Sequence, residues 1–255
     1  MEKRAVAVIP ARLQSTRLPR KVLADIAGKP MIRHVYERAS LAQSINRVLV
    51  ATDSKEVIRI VREWGVAVIL TSPNLPSGTA RIASIVNKID AEIVVNIQGD
   101  QPLVEPELID ELVRSFQNNR ADIVTPVFRI TEVSDRIDPG LAKVVCGNDG
   151  RALYFSRSPI PHVRDAPLAE WPKRAALWAQ YGIYGFRRHV LEEFDASLPP
   201  SQLEQAEKLE QLRFLEAGYS IYTIKTRFRQ IAVDTAEDLA QVRRILASQP
   251  QQESG

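Results

Sequence analysis

The sequence predicts an α/β fold with a mostly parallel sheet covered by helices, and three observations carry that prediction. Short apolar runs recur through the first half of the chain, each ending near a polar or turn residue. Between them lie stretches whose apolar residues repeat at helical spacing. The 255 residues, 45% hydrophobic and 25% charged, suffice for one large core of this kind.

The first run, Ala5 to Ile9, reads as a buried strand, and Pro10 and Pro19 forbid helix in the loop behind it. Met31, Ile32, Val35, Tyr36 and Ala39 form the core-facing stripe of a helix. Strands follow at Arg47 to Thr52, Ala67 to Leu70, Ile93 to Ile97 and Ile123 to Val127. Leu108, Ile109, Leu112, Val113 and Phe116 mark another helix before the last of these. The layering is Rossmann-like.

After Val127 the rhythm changes, and residues 128–186 read as an inserted β-containing subdomain. Lys143 to Cys146, a Gly-Asn-Asp-Gly turn at 147–150 and Ala152 to Ser156 make a hairpin. Pro159 to Pro172 reads as a loop, Gly182 to Phe186 as a strand, and Gln202 to Ala217 as one long helix capped by Gly218. A last strand, Ile231 to Val233, leads into a helix from Ala236 to Leu246. The chain is thus expected to be one domain over residues 1–247 with a polar, frayed tail at 248–255.

Lysine and arginine number 34 against 31 acidic residues, and a net charge of +3 spread along the chain argues against a nucleic-acid partner. Cys146 is the only cysteine, which fits a reducing, cytoplasmic setting. No apolar run approaches a membrane span, and the stretch after Arg4 is broken by Arg12 too early for a signal-peptide core. The three histidines lie too far apart for a local zinc motif.

The chemistry concentrates in four places. The loop after the first strand carries Arg12, Arg17, Arg20 and Lys21 at the strand's carboxyl end, where ligands bind in open α/β sheets. Arginine forks and a lysine point charge suit a polyanion such as a nucleoside triphosphate. Asp100, in Gln98-Gly99-Asp100, emerges at the end of a buried strand, either as a metal ligand or as an Asx turn before Pro102. Asp234 stands between a strand and a helix, either as a second carboxylate for a divalent cation or in a capping box with Glu237. Ser72, Ser77, Gly78, Thr79 and Arg81 open a helix start that binds an anion or a base edge, or simply caps the helix. Neither a P-loop nor a G-x-G-x-x-G motif occurs.

With these residues in place, the chain resembles the 3-deoxy-manno-octulosonate (Kdo) cytidylyltransferases over almost its full length. The resemblance runs through Ile9-Pro-Ala-Arg with Ser15-Thr-Arg-Leu-Pro and Lys21, Gly28-Lys-Pro-Met, Ala51-Thr-Asp, Ser77-Gly-Thr and Asn96-Ile-Gln-Gly-Asp. Ala152-Leu-Tyr-Phe-Ser-Arg, Gly182-Ile-Tyr-Gly, Leu209-Glu-Gln-Leu-Arg and Val233-Asp-Thr continue it, and the first three of these are the most specific.

The resemblance implies a nucleotide-diphospho-sugar transferase fold, a sugar-binding and dimerisation role for the inserted segment, and a homodimer. It also implies transfer of CMP from CTP to the anomeric hydroxyl of Kdo, with release of pyrophosphate, in lipopolysaccharide or related polysaccharide synthesis. Asp100 and Asp234 would hold Mg²⁺ and act in catalysis with Lys21 and Arg12. Pro10, Ala11, Arg12, Arg17, Lys21, Ala51, Ser72, Ser77, Gly78, Thr79, Arg81 and Gln98 would bind the nucleotide. Gln98, Arg157, Ser158, Gln180, Tyr184, Glu210 and Gln211 would bind the sugar. Three positions depart from the pattern: Ala80 and Gln101 where acidic residues are usual, and Gln180 where histidine is usual. They leave an amino-substituted Kdo or another ulosonic acid as an alternative acceptor, and a silent nucleotide-binding protein as a third reading.

Overall fold

In the computed structural model, which describes residues 4–118 and 121–248, strand β1 (Ala5–Ala11) is buried along its whole length. Its side chains alternate, with Ala5, Ala7, Ile9 and Ala11 in one apolar cluster and Val6 and Val8 in another. A strand apolar on both faces must be covered on both, and β1 is the interior strand of a three-layer arrangement.

A small hairpin, β2 (Asp25–Ile26) and β3 (Lys29–Pro30), leads into α1 (Met31–Ser40). There follow β4 (Arg47–Thr52), α2 (Lys55–Arg62), β5 (Ala67–Leu70), α3 (Gly78–Ala83), β6 (Ile93–Ile97), α4 (Pro106–Asn118) and β7 (Ile123–Arg129). Strands β5, β4, β1 and β6 lie side by side and parallel, so their carboxyl ends share one edge. β4, β5 and β6 match their expected bounds residue for residue, while β1 and β7 run on to Ala11 and Arg129.

The second half contributes α5 (Val133–Ile137), β8 (Lys143–Cys146), β9 (Ala152–Ser156), α6 (Trp171–Arg174), β10 (Trp178–Gln180) and β11 (Ile183–Arg187). It ends with α7 (Arg188–Ser197), α8 (Gln202–Glu207), α9 (Gln211–Glu216), β12 (Ile221–Thr226) and α10 (Ala236–Ser248). The β8–β9 hairpin forms with the expected bounds, and Gly150 turns it at a φ of +86°. The ten-stranded sheet continues from β6 through β11, β7, β10, β8 and β9, with β12 parallel to β7. Residues 128–186 therefore supply most of its antiparallel end.

Three expectations are corrected. The helix expected over 202–217 is two helices, because Lys208 takes a left-handed conformation at φ 53° and breaks the run. Ile231 to Val233 is not a strand: it forms no ladder, and the Val233 amide instead donates to the Asp100 carbonyl at 2.9 Å. The segment 159–172 is not loop throughout, since a 3-10 turn at Leu168–Glu170 runs into α6, whose Trp171 is buried. The expected tail falls outside the described residues except for Ser248, which closes α10.

A third apolar cluster decides where the last functional segment sits. Ile26 and Met31 pack with Val233, Leu239 and Val242, clamping α10 against the β2–β3 hairpin. Asp234, one residue past Val233, is thereby brought to the end of the chain's first loop.

Candidate active site

A cleft of about 520 Å³ opens at the carboxyl ends of β1 and β6. Pro10 lines it from the end of β1, Arg12, Arg17 and Lys21 from the first loop, Ser77, Gly78 and Arg81 from the start of α3, and Gln98 and Asp100 from the loop after β6. Arg157 and Asp234 complete the expected set. Residues far apart in sequence thus meet because parallel strands deliver their exit loops to one edge.

Lys21 is the electrostatic centre. Its Nζ lies 2.6 Å from Asp100 Oδ2 and 3.0 Å from Asp234 Oδ1, with only 12% of the side chain exposed. Burial alone would lower its pKa, but the two carboxylates override this and hold the ammonium above its ordinary value. Arg17 adds a second cation at 3.0 Å from the same Asp234 oxygen.

Asp234 is free for this role because its neighbours cap the helix. The Thr235 hydroxyl accepts from the Asp238 amide at 3.2 Å, and the Asp238 carboxylate accepts from the amides of Thr235 at 2.8 Å and Asp234 at 2.9 Å. The capping box is therefore Thr235 with Asp238, not Asp234 with Glu237.

The wall beside β6 is a chain of hydrogen bonds. Gln98 donates to Asn96 at 2.9 Å, and Asn96 donates to Thr79 at 3.3 Å. Ser77 donates to Glu210, and burial pushes the Glu210 carboxyl above its usual range despite this bond. Gly78 leaves room for this chain, since a Cβ would lie 2.8 Å from Gln98 Nε2 and 3.1 Å from Pro10 Cγ and would displace the Gln98 amide.

Other expected residues stand behind the cleft. Ala11 and Ala51 are fully buried in β1 and β4. Ser72 offers its carbonyl to Arg81, which also bonds the Thr71 hydroxyl and pairs with Asp53 at 3.1 Å. Gln180 is buried, donating to Thr125 at 3.1 Å and accepting from Gln211 at 2.8 Å. It also bonds Tyr184, whose hydroxyl is driven far up in pKa by burial. The amide of Ser158 is tied to the Ser156 hydroxyl at 3.0 Å.

Lys208 lines the cleft without having been expected there. In sequence it looks like any lysine on a solvated helix face, and only the left-handed turn reveals its position. Among the described residues no group of three or more His, Cys, Asp or Glu is gathered, so the two aspartates are the protein's metal-ligand candidates at this cleft.

A family model described as cytidylyltransferase matches residues 6–246. The chain is 45% identical over 249 residues to a 3-deoxy-manno-octulosonate cytidylyltransferase of Chloroherpeton thalassium, covering 96% of this chain and 98% of the relative. It is 46% identical over 246 residues to the enzyme of that name from Geobacter sulfurreducens, covering 92% and 96%. A solved structure of CMP:2-keto-3-deoxy-manno-octonic acid synthetase complexed with CTP superposes with a TM-score of 0.89 at 40% identity, covering 96% of this chain and 98% of that one.

Proposed function

The chain belongs to the cytidylyltransferase family, and from that membership we propose that it transfers CMP from CTP to the anomeric hydroxyl of Kdo, releasing pyrophosphate. The observation that carries this reading is the cleft itself, where a cationic loop faces two carboxylates held on one lysine. Cations alone would suit any polyanion. Carboxylates beside them suit a polyanion that arrives with a divalent metal.

In this reading Arg12 and Arg17 fork onto the phosphate oxygens, and Lys21 holds the end where charge builds on departing pyrophosphate. The sugar oxygen attacks the α-phosphorus as the bond to the β-phosphate oxygen breaks. Gly78 and the Gln98–Asn96–Thr79 chain fix the wall, which keeps the reacting groups from drifting. No protein nucleophile is required.

The donor set fits a divalent metal, Mg²⁺ in this reading. Two hard carboxylate oxygens converge on the Lys21 ammonium in the lining of the cleft, and Mg²⁺ takes one or two carboxylates with the rest of its shell from water and phosphate. Asp100 and Asp234 would hold it, and when bound it would lower the pKa of the sugar hydroxyl and draw charge from the α-phosphate.

Cytoplasmic location and a homodimer through residues 128–186 belong to the same reading. The single cysteine supports the first, and exposed Val133, Ile137 and Leu153 on that segment support the second. No described helix is long and apolar enough to cross a membrane. Light scattering that finds a monomer at micromolar concentration would remove the dimer.

The test of function is pyrophosphate release with CTP and Mg²⁺, offering Kdo and its amino-substituted analogue in parallel. Turnover on Kdo is expected. Preference for the analogue would reassign the acceptor, and CTP binding without turnover on either would leave a nucleotide-binding role.

A further inference from the structure

Six cations line the cleft, and four already have partners. Arg17 and Lys21 engage the aspartates, and Arg81 is paired with Asp53. Arg157 is committed to backbone: its Nε donates to the Glu207 carbonyl at 2.6 Å, Nη1 to Pro139 at 2.5 Å and Nη2 to Lys208 at 3.0 Å. Among the described residues the side chains of Arg12 and Lys208 carry no hydrogen bond or ion pair. Arg12 belongs to the phosphate loop, so Lys208 is the cation left for a second anionic group.

The turn that presents Lys208 is built with care. Left-handed backbone costs a non-glycine residue about 1 kcal/mol, yet Lys208 adopts φ 53° and ψ 43° between α8 and α9. It is pinned on both sides. Glu207 accepts from the Ser156 hydroxyl at 2.6 Å and the Arg157 amide at 2.9 Å, Leu209 is buried in the core, and Glu210 bonds Ser77 across the cleft. A local conformation held against its preference by this many contacts points to a use for the side chain it aims.

We propose that Lys208 is the specificity-determining cation for the carboxylate of the acidic sugar, and that Arg157 is a positioning residue that holds the Lys208 turn. The inference rests on the acceptor being an ulosonic acid. An ammonium on a short turn supplies the charge, while the guanidinium that the family resemblance places on the sugar fixes the backbone from which that charge projects.

The experiment uses the full chain and steady-state pyrophosphate release. Lys208→Asn keeps a residue that tolerates left-handed backbone, Lys208→Gly removes the strain entirely, and Lys208→Arg keeps the charge. Both neutral variants are expected to raise KM for Kdo by about tenfold or more, as for a lost charge-assisted bond, with KM for CTP unchanged within about twofold. Lys208→Arg should recover most of the loss. Arg157→Gln should raise KM for Kdo likewise and, unlike the Lys208 variants, also lower the melting temperature, because three carbonyls lose their donor. A KM for Kdo in Lys208→Gly within about twofold of the unsubstituted protein, which itself turns over Kdo, overturns the inference while sparing the proposed function. No turnover on any ulosonic acid by the unsubstituted protein overturns both.

Discussion

The amide of Val233 donates to the carbonyl of Asp100 at 2.9 Å, and this bond joins the two loops that bear the cleft's carboxylates. Asp100 and Asp234 are 134 positions apart by their numbering, yet one backbone hydrogen bond and the apolar seat of Val233 fix their spacing. Lys21 then needs only one rotamer to meet both. The relationship makes the pair a preorganised unit rather than two independent side chains.

Replacing Asp100 with asparagine tests that unit. The amide keeps the shape and the backbone bond to Val233 but removes the charge that would hold a metal in the proposed reaction and half the charge facing Lys21. Turnover should fall by about 10²-fold or more, with the melting temperature changed by only a few degrees. Turnover within a factor of a few of the unsubstituted protein would take Asp100 out of the metal site.

Asp238 gives a pH-dependent prediction. Burial pushes its carboxyl up, but the amides of Asp234 and Thr235 and the Thr235 hydroxyl outweigh this and hold it below its ordinary value. A pKa depressed in the folded state adds stability that is present above about pH 4 and is lost as the pH falls through the folded value. Asp238→Ala should therefore cost about 1 kcal/mol at pH 7 and progressively less below pH 4. Equal losses at pH 7 and pH 3, measured by denaturant unfolding, would contradict this assignment.

The sheet was legible because its signal is local: Ile93 to Ile97 is apolar but for Asn96 and is bounded by Glu92 and Gln98, so its ends could be placed to the residue. β12 was missed although Ile221, Tyr222, Thr223 and Ile224 are good strand formers, because the alternation ends in charge and its partner β7 lies almost a hundred residues earlier. The break at Lys208 has no glycine or proline to announce it and is imposed by Arg157 and Glu207. Cleft residues at strand ends could be found for the same local reason. The hydrogen-bonded wall of Gln180, Gln211 and Thr125 could not, since it exists only through tertiary pairing.

Arg81 lines the cleft and also holds the first loop in place. Its guanidinium is 4% exposed and pairs with Asp53, whose other oxygen accepts from the Leu13 amide at 3.2 Å, next to Arg12. Arg81→Met leaves Asp53 buried and unpaired, which should cost roughly 3 kcal/mol and raise KM for CTP by loosening the loop. Adding Asp53→Asn should restore part of the stability, so the double variant should lose less than the sum of the single losses. Additive losses would show that the two side chains act independently.

By the family resemblance Gln180 stands where histidine is usual, and its surroundings decide whether that exchange would alter charge at the proposed sugar site. Thr125 spends its hydroxyl proton on the Ile183 carbonyl at 2.9 Å, so it can only accept from residue 180. Gln211 donates to Gln180, so that side of residue 180 must accept. A neutral imidazole, with one donor and one acceptor nitrogen, satisfies Thr125 and Gln211 and gives up the bond to Tyr184, whereas an imidazolium would point a proton at the Gln211 amide. Gln180→His should therefore titrate below the ordinary histidine value of about 6.5, as followed by the ring-proton chemical shift in NMR. The variant should also keep its preference between Kdo and the amino analogue within about threefold at pH 7.5, because neither glutamine nor neutral histidine brings charge to the wall. A ring that titrates above 7, together with a reversed acceptor preference, would show that position 180 sets sugar charge selectivity directly.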